Sequence, residues 1–319
     1  MRLLLTGGTG FFGKSLLKFI ASKDRPFEVT VLSRSPSSFL LKNPQFSNLP
    51  WLKFQIGDVT KVETLRVLAG NERFTHLLHA ALDSTAASHL NSFERFDQIV
   101  NGTRNLLELA SQNGIKRFLL TSSGAVYGPQ TSSFKSIPES FLGTADPLLL
   151  NSTYSLAHRM AEHFCALAST ESGLQTVVGR CFAFVGEDLP ISAHFAIGNF
   201  IRDAKFKTSI EVLGDGTPMR SYLYQLDLAN WLLTLLDRGR SGEAYNVGSD
   251  QAISIADLAH LVRDIIAPHK SVIIQNSLIS GQSERSSYIP NIEKARNTLN
   301  LSINFSLKDS IYLASKSIF

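Results

Sequence analysis

The chain has 319 residues, 44% apolar and 18% charged, with 31 basic against 27 acidic side chains and a net charge of +4. This balance excludes disordered, collagen-like and coiled-coil classes, and it offers no basic stripe, so no nucleic-acid partner is expected. No apolar run approaches the ~18–20 residues of a membrane span, and the strand pattern that opens at residue 2 predicts no signal peptide and no membrane association. Two cysteines, Cys165 and Cys181, make no disulfide framework, which points to a reducing, cytoplasmic setting.

Candidate strands follow one another at residues 2–6, 28–33, 52–56, 76–80, 117–122 and 174–180. Amphipathic helical patterns lie between them at 14–22, 62–69 and 94–113. Strand and helix alternating at these lengths predict parallel βαβ units and an α/β, doubly wound parallel sheet. Thr60-x-x-Glu63 reads as a capping box opening the helix after the third strand. Beyond about residue 180 the alternation loosens. A turn cluster at Gly214-Asp215-Gly216-Thr217-Pro218 precedes a helix at 227–237, a short strand at 245–248, and a helix from Ser254 as N-cap. The expected organisation is a dinucleotide-binding domain over 1–180, to which 219–247 return, and a smaller mixed α/β substrate-binding domain over 181–319.

The sharpest local signal is the stretch Leu3-Leu4-Leu5-Thr6-Gly7-Gly8-Thr9-Gly10-Phe11-Phe12-Gly13. An apolar strand precedes the glycines and an amphipathic helix follows them. Gly7, Gly10 and Gly13 allow the tight turn, let a pyrophosphate approach the backbone and bring helix and sheet together. The phosphate charge then meets the unpaired amides of the helix start, with Phe11 and Phe12 beside it. The end of the second strand selects between dinucleotides, because a carboxylate there binds the ribose 2′-hydroxyl of NAD and a cation accepts the 2′-phosphate of NADP. This chain has Val31-Leu32-Ser33-Arg34-Ser35. Arg34 and the hydroxyl of Ser33 favour NADP, with NAD as the alternative.

Two further segments complete a pattern. One is Thr121-Ser122-Ser123-Gly124-Ala125-Val126-Tyr127-Gly128, and the other is Tyr154-Ser155-Leu156-Ala157-His158. With the opening glycine loop they resemble the extended short-chain dehydrogenase/reductases, the NAD-dependent epimerase/dehydratase family of nucleotide-sugar enzymes, which have a Rossmann core. The resemblance extends through Gly57-Asp58-Val59, Ala80-Ala81, Asn101-Gly102-Thr103, Arg220, Asp227-Leu228-Ala229 and Asn246-Val247-Gly248. It implies that Tyr154 exchanges a proton with a sugar oxygen during hydride transfer and that Ser123 hydrogen-bonds the same oxygen. It places Asp58, Val59, Ala80 and Ala81 beside the cofactor, Asp58 near the adenine or else as a plain loop carboxylate. It puts Asn101 on the active-site helix and Arg220 against the substrate diphosphate. A homodimer through the helices at 94–113 and 153–169 is also implied. Leu106, Leu107 and Leu109 serve either that seam or the intramolecular core.

The chain departs from the family pattern in three places. Tyr-x-x-x-Lys becomes Tyr154-x-x-x-His158, still on one helix face, with an imidazole that is mostly neutral at pH 7 unless a phenolate raises it. His158 is then a working substitute for the cofactor-side lysine, a slow one, or the mark of a cofactor-binding protein that no longer turns over. Gly124 and Ala125 stand where dehydratases carry Asp-Glu, so dehydration is disfavoured and a 4-keto-sugar reductase is expected, with a 4-epimerase as the alternative. Ala183 replaces the usual Asn. The sugar and base are left to loops at 83–91, 192–206 and 275–287. Histidines 76, 79, 89 and 163 lack metal spacing, and no metal site is expected.

Overall fold

A computed structural model describes all residues except 25–26, 72, 82–89, 129–133, 144, 191–194, 276–286 and 317–319. His89 and most of the substrate loops at 83–91 and 275–287 lie outside the described residues, as does the start of the loop at 192–206. Contacts divide the chain into two units. The first comprises residues 1–126, 145–180 and 229–245, and the second residues 127–144, 181–228 and 246–319.

The first unit begins with β1 (Arg2–Thr6), α1 (Phe11–Ala21), β2 (Glu28–Ser33), α2 (Pro36–Lys42), β3 (Leu52–Ile56), α3 (Val62–Asn71) and β4 (His76–His79). It continues with α4 (Ser92–Gln112), β5 (Arg117–Ser123), α5 (Thr153–Ser172) and β6 (Gln175–Cys181). Leu3, Leu4 and Leu5 of β1 are all fully buried. A continuous apolar run of this kind belongs to a parallel strand covered on both faces, where an alternating one would belong to a half-exposed sheet.

The second unit carries β7 (Phe184–Val185), α6 (Ala196–Phe206), β8 (Ser209–Val212), β9 (Met219–Arg220) and β10 (Leu223–Tyr224). Then come α7 (Gln225–Arg238) and β11 (Glu243–Val247), through which the chain passes back to the first unit. It ends with β12 (Ile253–Ser254), α8 (Ile255–Ile266), β13 (Ser271–Ile274), β14 (Ser287–Tyr288), α9 (Glu293–Leu299) and α10 (Leu307–Lys316).

Seven strands form one sheet in the order β11-β6-β5-β4-β1-β2-β3, and the pairs from β3 across to β5 are all parallel. The chain therefore starts in the middle and winds outward both ways. Its direction reverses between β1 and β4, and the ends of those strands open the crevice where doubly wound sheets bind ligands. One face of this sheet is covered by α4 and α5, with Leu4, Leu77, Phe118 and Leu120 meeting Leu106, Ala157 and Ala161 in one dry layer. Leu106, Leu107 and Leu109 all belong to this core, which settles their use as intramolecular packing. The second unit has its own core, in which Ile197, Phe200 and Ile201 of α6 pack with Leu258 and Val262 of α8 and Ile311 of α10. Among the described residues no helix is long and apolar enough to cross a membrane.

Two helix starts differ from expectation. Thr60 does not cap α3, because its backbone N–H and its hydroxyl both donate to Asp58 Oδ1, at 2.9 and 2.8 Å. That local turn captures the hydroxyl before the helix begins at Val62. The capping box sits instead on α4. There Glu94 N–H donates to Asn91 Oδ1 at 3.0 Å and Asn91 N–H donates to Glu94 Oε2 at 2.9 Å, so the helix starts two residues earlier than its apolar periodicity suggests. Ser254 caps α8 as expected, accepting from Asp257 N–H at 3.0 Å.

Candidate active site

The site is built at the ends of β1, β2, β4 and β5, with α5 beside them. After Thr6 the chain turns through Gly7, whose φ of +73° is left-handed and where a Cβ would stand 2.2 Å from the Ala80 carbonyl oxygen. No larger residue fits, since both the conformation and the space are closed to a side chain. Ala80 N–H donates to Thr6 O at 3.1 Å, so this turn is fastened to the end of β4 and brings Ala80 and Ala81 beside it. Gly13 closes the other side, its missing Cβ leaving room for Gly8 Cα, 2.2 Å from where that Cβ would be.

Helix α1 starts at N-cap Gly10 with no side-chain cap and no acidic residue in its first turn. The positive end of its dipole is thus matched by no side-chain cap or carboxylate of its own first turn, as at anion-binding helix starts, and the rings of Phe11 and Phe12 stand next to each other at 5.9 Å. These features fit a dinucleotide pyrophosphate. At the end of β2, Ser33 Oγ accepts from Ser35 N–H at 3.3 Å and Arg34 is exposed. After β3, Asp58 uses Oδ1 for the Thr60 turn, and buried Val59 accepts at its carbonyl from Asn105 Nδ2 at 3.0 Å.

Ser123 is the last residue of β5, 9% exposed. Its Oγ accepts from Ala125 N–H at 3.1 Å, which leaves the hydroxyl hydrogen to donate. Gly124 and Ala125 follow it in a short 3₁₀ turn and carry no group able to move a proton. Tyr154 sits in the first turn of α5, half-buried and packed against the core. One helical turn on, the His158 ring meets the Tyr154 ring edge-on, with centroids 4.5 Å apart. His158 is 1% exposed. Burial pulls its pKa down to about 3, so the imidazole is neutral through the physiological range and supplies no standing positive charge to the tyrosine.

Sequence reading passed over the residues that hold α5 in place. Ser122 Oγ donates to Glu162 Oε1 at 2.6 Å. Arg180 reaches the same carboxylate with Nε at 3.1 and 3.2 Å and with Nη2 at 2.8 Å. Arg159 Nη1 donates to Val126 O at 3.1 Å. The helix bearing Tyr154 is therefore tied to the segment bearing Ser123, and the Ser122, Glu162 and Arg180 side chains of that tie are little exposed to water, where charge-assisted bonds are strong and geometrically selective. The available signal was the i, i+4, i+8 spacing of Tyr154, His158 and Glu162, which puts all three on one helix face.

The remaining predicted residues lie on other elements. Asn101 is exposed on α4. Arg220 lies on β9 of the second unit, half-buried, with Nη1 donating to Met219 O at 2.8 Å. Two residues of the family resemblance serve structure within that unit. Asp227 accepts from the backbone of Asn304 and Phe305 at 2.9 and 3.2 Å. Asn246 joins Tyr127, Ile137 and Asn291 through its amide. Cys165 and Cys181 are buried and form no disulfide, and burial pushes both thiols up, away from nucleophilic use.

The sequence model of the NAD dependent epimerase/dehydratase family matches residues 3–248. UDP-glucuronic acid decarboxylase 1 of Arabidopsis thaliana is 27% identical over 318 residues, 98% of this chain and 68% of the relative. Pal from Bacillus thuringiensis superposes with a TM-score of 0.83 at 27% identity, covering 100% of this chain and 99% of Pal. UDP-glucuronic acid 4-epimerase from Bacillus cereus, solved with UDP-glucuronic acid and NAD, shares the fold with a TM-score of 0.83 at 21% identity, over 100% and 99% of the two chains.

Proposed function

The chain belongs to the NAD dependent epimerase/dehydratase family, and from that premise we propose that it is an NADPH-linked reductase of a 4-keto nucleotide sugar. The observation that carries the cofactor choice is the end of β2, where exposed Arg34 follows Ser33 and no carboxylate stands to repel a 2′-phosphate. Gly7, Gly10, Phe11, Phe12 and Gly13 would hold the pyrophosphate, and Ser33 with Arg34 the adenosine ribose. Asp58, Val59, Ala80, Ala81 and Asn101 complete the cofactor wall, and Arg220 takes the substrate diphosphate. The bound dinucleotide supplies the hydride.

Ser123 and Tyr154 supply the rest. As the sugar carbonyl carbon gains hydride its oxygen gains negative charge, and the Ser123 hydroxyl stabilises that oxygen by donating a hydrogen bond. Tyr154 delivers the proton that turns it into an alcohol. Gly124 and Ala125 beside them carry no acid–base group for removing water.

A 4-epimerase retaining NAD⁺ is the second reading, favoured by the NAD-bound Bacillus cereus 4-epimerase of the same fold. The two separate in a fluorescence titration of the purified protein, after a denatured sample has been assayed for carried-over cofactor. NADPH should bind about tenfold more tightly than NADH, a difference of about 1.4 kcal/mol, and Arg34→Ala should erase that preference. Retained NAD⁺ or a preference for NADH would establish the epimerase reading instead.

We also propose a homodimer through α4 and α5. It is supported by the exposed apolar side chains of Phe93 on α4 and of Met160 and Leu167 on α5, which a partner's helix pair would cover. Light scattering at micromolar concentration should give twice the 35.1 kDa chain mass, and a species of one chain mass would exclude the dimer.

A further inference from the structure

An ion pair lies behind the two hydroxyls assigned to the reacting oxygen, within the first unit. Arg180 of β6 holds both oxygens of the Glu162 carboxylate on α5, and buried Ser122 of β5 donates to Oε1 of the same group. The Arg180 and Glu162 side chains are only 17% and 13% exposed, so water competes little for these bonds. A buried pair of this kind adds little net stability over apolar residues of the same volume. What it does supply is one fixed geometry, because a guanidinium fork fits a carboxylate in few ways.

Strand alternation puts this geometry where it bears on Tyr154. Phe118 and Leu120 of β5 lie in the layer with Ala157 and Ala161 of α5. Ser122, two residues further along the strand, shares their face, and its neighbour is Ser123. The tie therefore sets the height of α5 over β5 one residue from the Ser123 hydroxyl. The strand β5 runs between β4 and β6 inside the sheet, so it is the fixed member of the pair and α5 the one that can tilt.

Glu162 stands two helical turns from Tyr154, about 12 Å along the axis. A tilt of α5 by about 5° about the Glu162 contact would move Tyr154 by about 1 Å. A misplacement of that size can cost about a hundredfold in rate. The nearer tie, from Arg159 to the Val126 carbonyl, uses a residue exposed to water and resists such a tilt less. Ser122 is the member that joins the helix to β5, since the Glu162–Arg180 pair alone holds α5 to β6.

We propose that Ser122, Glu162 and Arg180 are positioning residues for the reduction, holding the Tyr154 phenol in register with the Ser123 hydroxyl so that both meet one carbonyl oxygen. They act through Tyr154 and not on the substrate. The kinetic half rests on the keto-sugar reduction proposed above, and the geometric half stands on the free protein.

The test uses the full chain, NADPH and, as probe, 4-keto-6-deoxyglucose linked to UDP or to dTDP. Ser122→Ala removes one oxygen and leaves the ion pair in place, so it spares the fold. It should lower turnover about tenfold with the NADPH Kd within about twofold of wild type, and Glu162→Ala should lower turnover about a hundredfold. In a Tyr154→Phe background both losses should shrink to about twofold or less, because groups acting through one another are not additive. The free protein is then labelled with ¹³C at tyrosine Cζ, and the Tyr154 signal is identified by its loss in Tyr154→Phe. That signal should be a single line in the wild type and should shift or split in Ser122→Ala.

Turnover of Ser122→Ala within about twofold of wild type would overturn the proposal, as would an unchanged Tyr154 signal in that variant. Equal losses with and without the Tyr154 hydroxyl would assign these residues to structure alone and overturn it too. Failure of the wild type to reduce either probe would overturn the function proposed above together with the kinetic half, while the Tyr154 signal still decides the geometric half.

Discussion

Replacing Tyr154 with phenylalanine is expected to lower turnover of a keto nucleotide sugar by about a thousandfold while leaving the dinucleotide Kd within about twofold. The change deletes one oxygen from a ring that is half-buried against the core of the first unit, so packing is kept and only the proton donor is lost. Of the two hydroxyls assigned to the reacting oxygen, Ser123 hydrogen-bonds it, and only Tyr154 is given the proton transfer. Ser123→Ala should therefore cost less, about tenfold to a hundredfold. A Tyr154→Phe enzyme retaining more than about a tenth of wild-type turnover would remove Tyr154 from the proton path and leave the fold assignment untouched. If the variant also lost dinucleotide binding, the phenol would belong to cofactor binding and the assigned role would again be wrong.

Much of this arrangement was legible from local pattern, because the physics behind it is local. The all-apolar run of β1, the glycines at 7, 10 and 13 and the helix after them are read within a dozen residues. They report on turn geometry and on a helix start that the surrounding chain does not alter. The strand ends bearing Arg34 and Ser123 are legible for the same reason, since parallel strands of similar length must finish at one edge of the sheet. What was not legible depends on register between distant segments. Thr6 and His79 are 73 residues apart and meet only because β1 and β4 are neighbours at the reversal of the sheet. Glu162, Ser122 and Arg180 lie on three different elements, and no spacing rule announces that one carboxylate joins them. The Thr60 box failed on a competition that spacing alone cannot weigh, because Asp58 lies two residues away and takes the hydroxyl first.

Acidification is expected to destabilise this protein by about 4 kcal/mol between pH 7.5 and pH 5 through His79 and His158 alone. Burial is the first cause at both residues and pulls each pKa from 6.5 to about 3, with the charge of His158 adding to the effect at His79. The sign follows from linkage. The unfolded chain takes up protons on these rings as the pH falls through 6.5, the folded chain does not until about 3, and stability drops throughout that window. Each ring contributes up to about 1.4 kcal/mol per pH unit. Half-buried His76 is also lowered by burial and adds in the same direction. Above pH 5 most carboxylates remain ionised in both states, so the histidines dominate the slope there.

Denaturant unfolding at pH 7.5, 6 and 5 measures this slope. His158→Met, which keeps the volume and removes the titrating group, should flatten it by about half. An unchanged slope in His158→Met would mean that His158 is already protonated in the fold. The site would then hold the cation that a buried, unpaired imidazole cannot supply, and Tyr154 would work beside a charge as it does beside the lysine of the family motif. A flattened slope leaves a neutral ring at that position. Tyr154 then has no standing cation to lower its pKa, and the phenol must deliver its proton by geometry, held by the ties from Glu162 and Arg159 that fix α5 against the end of β5.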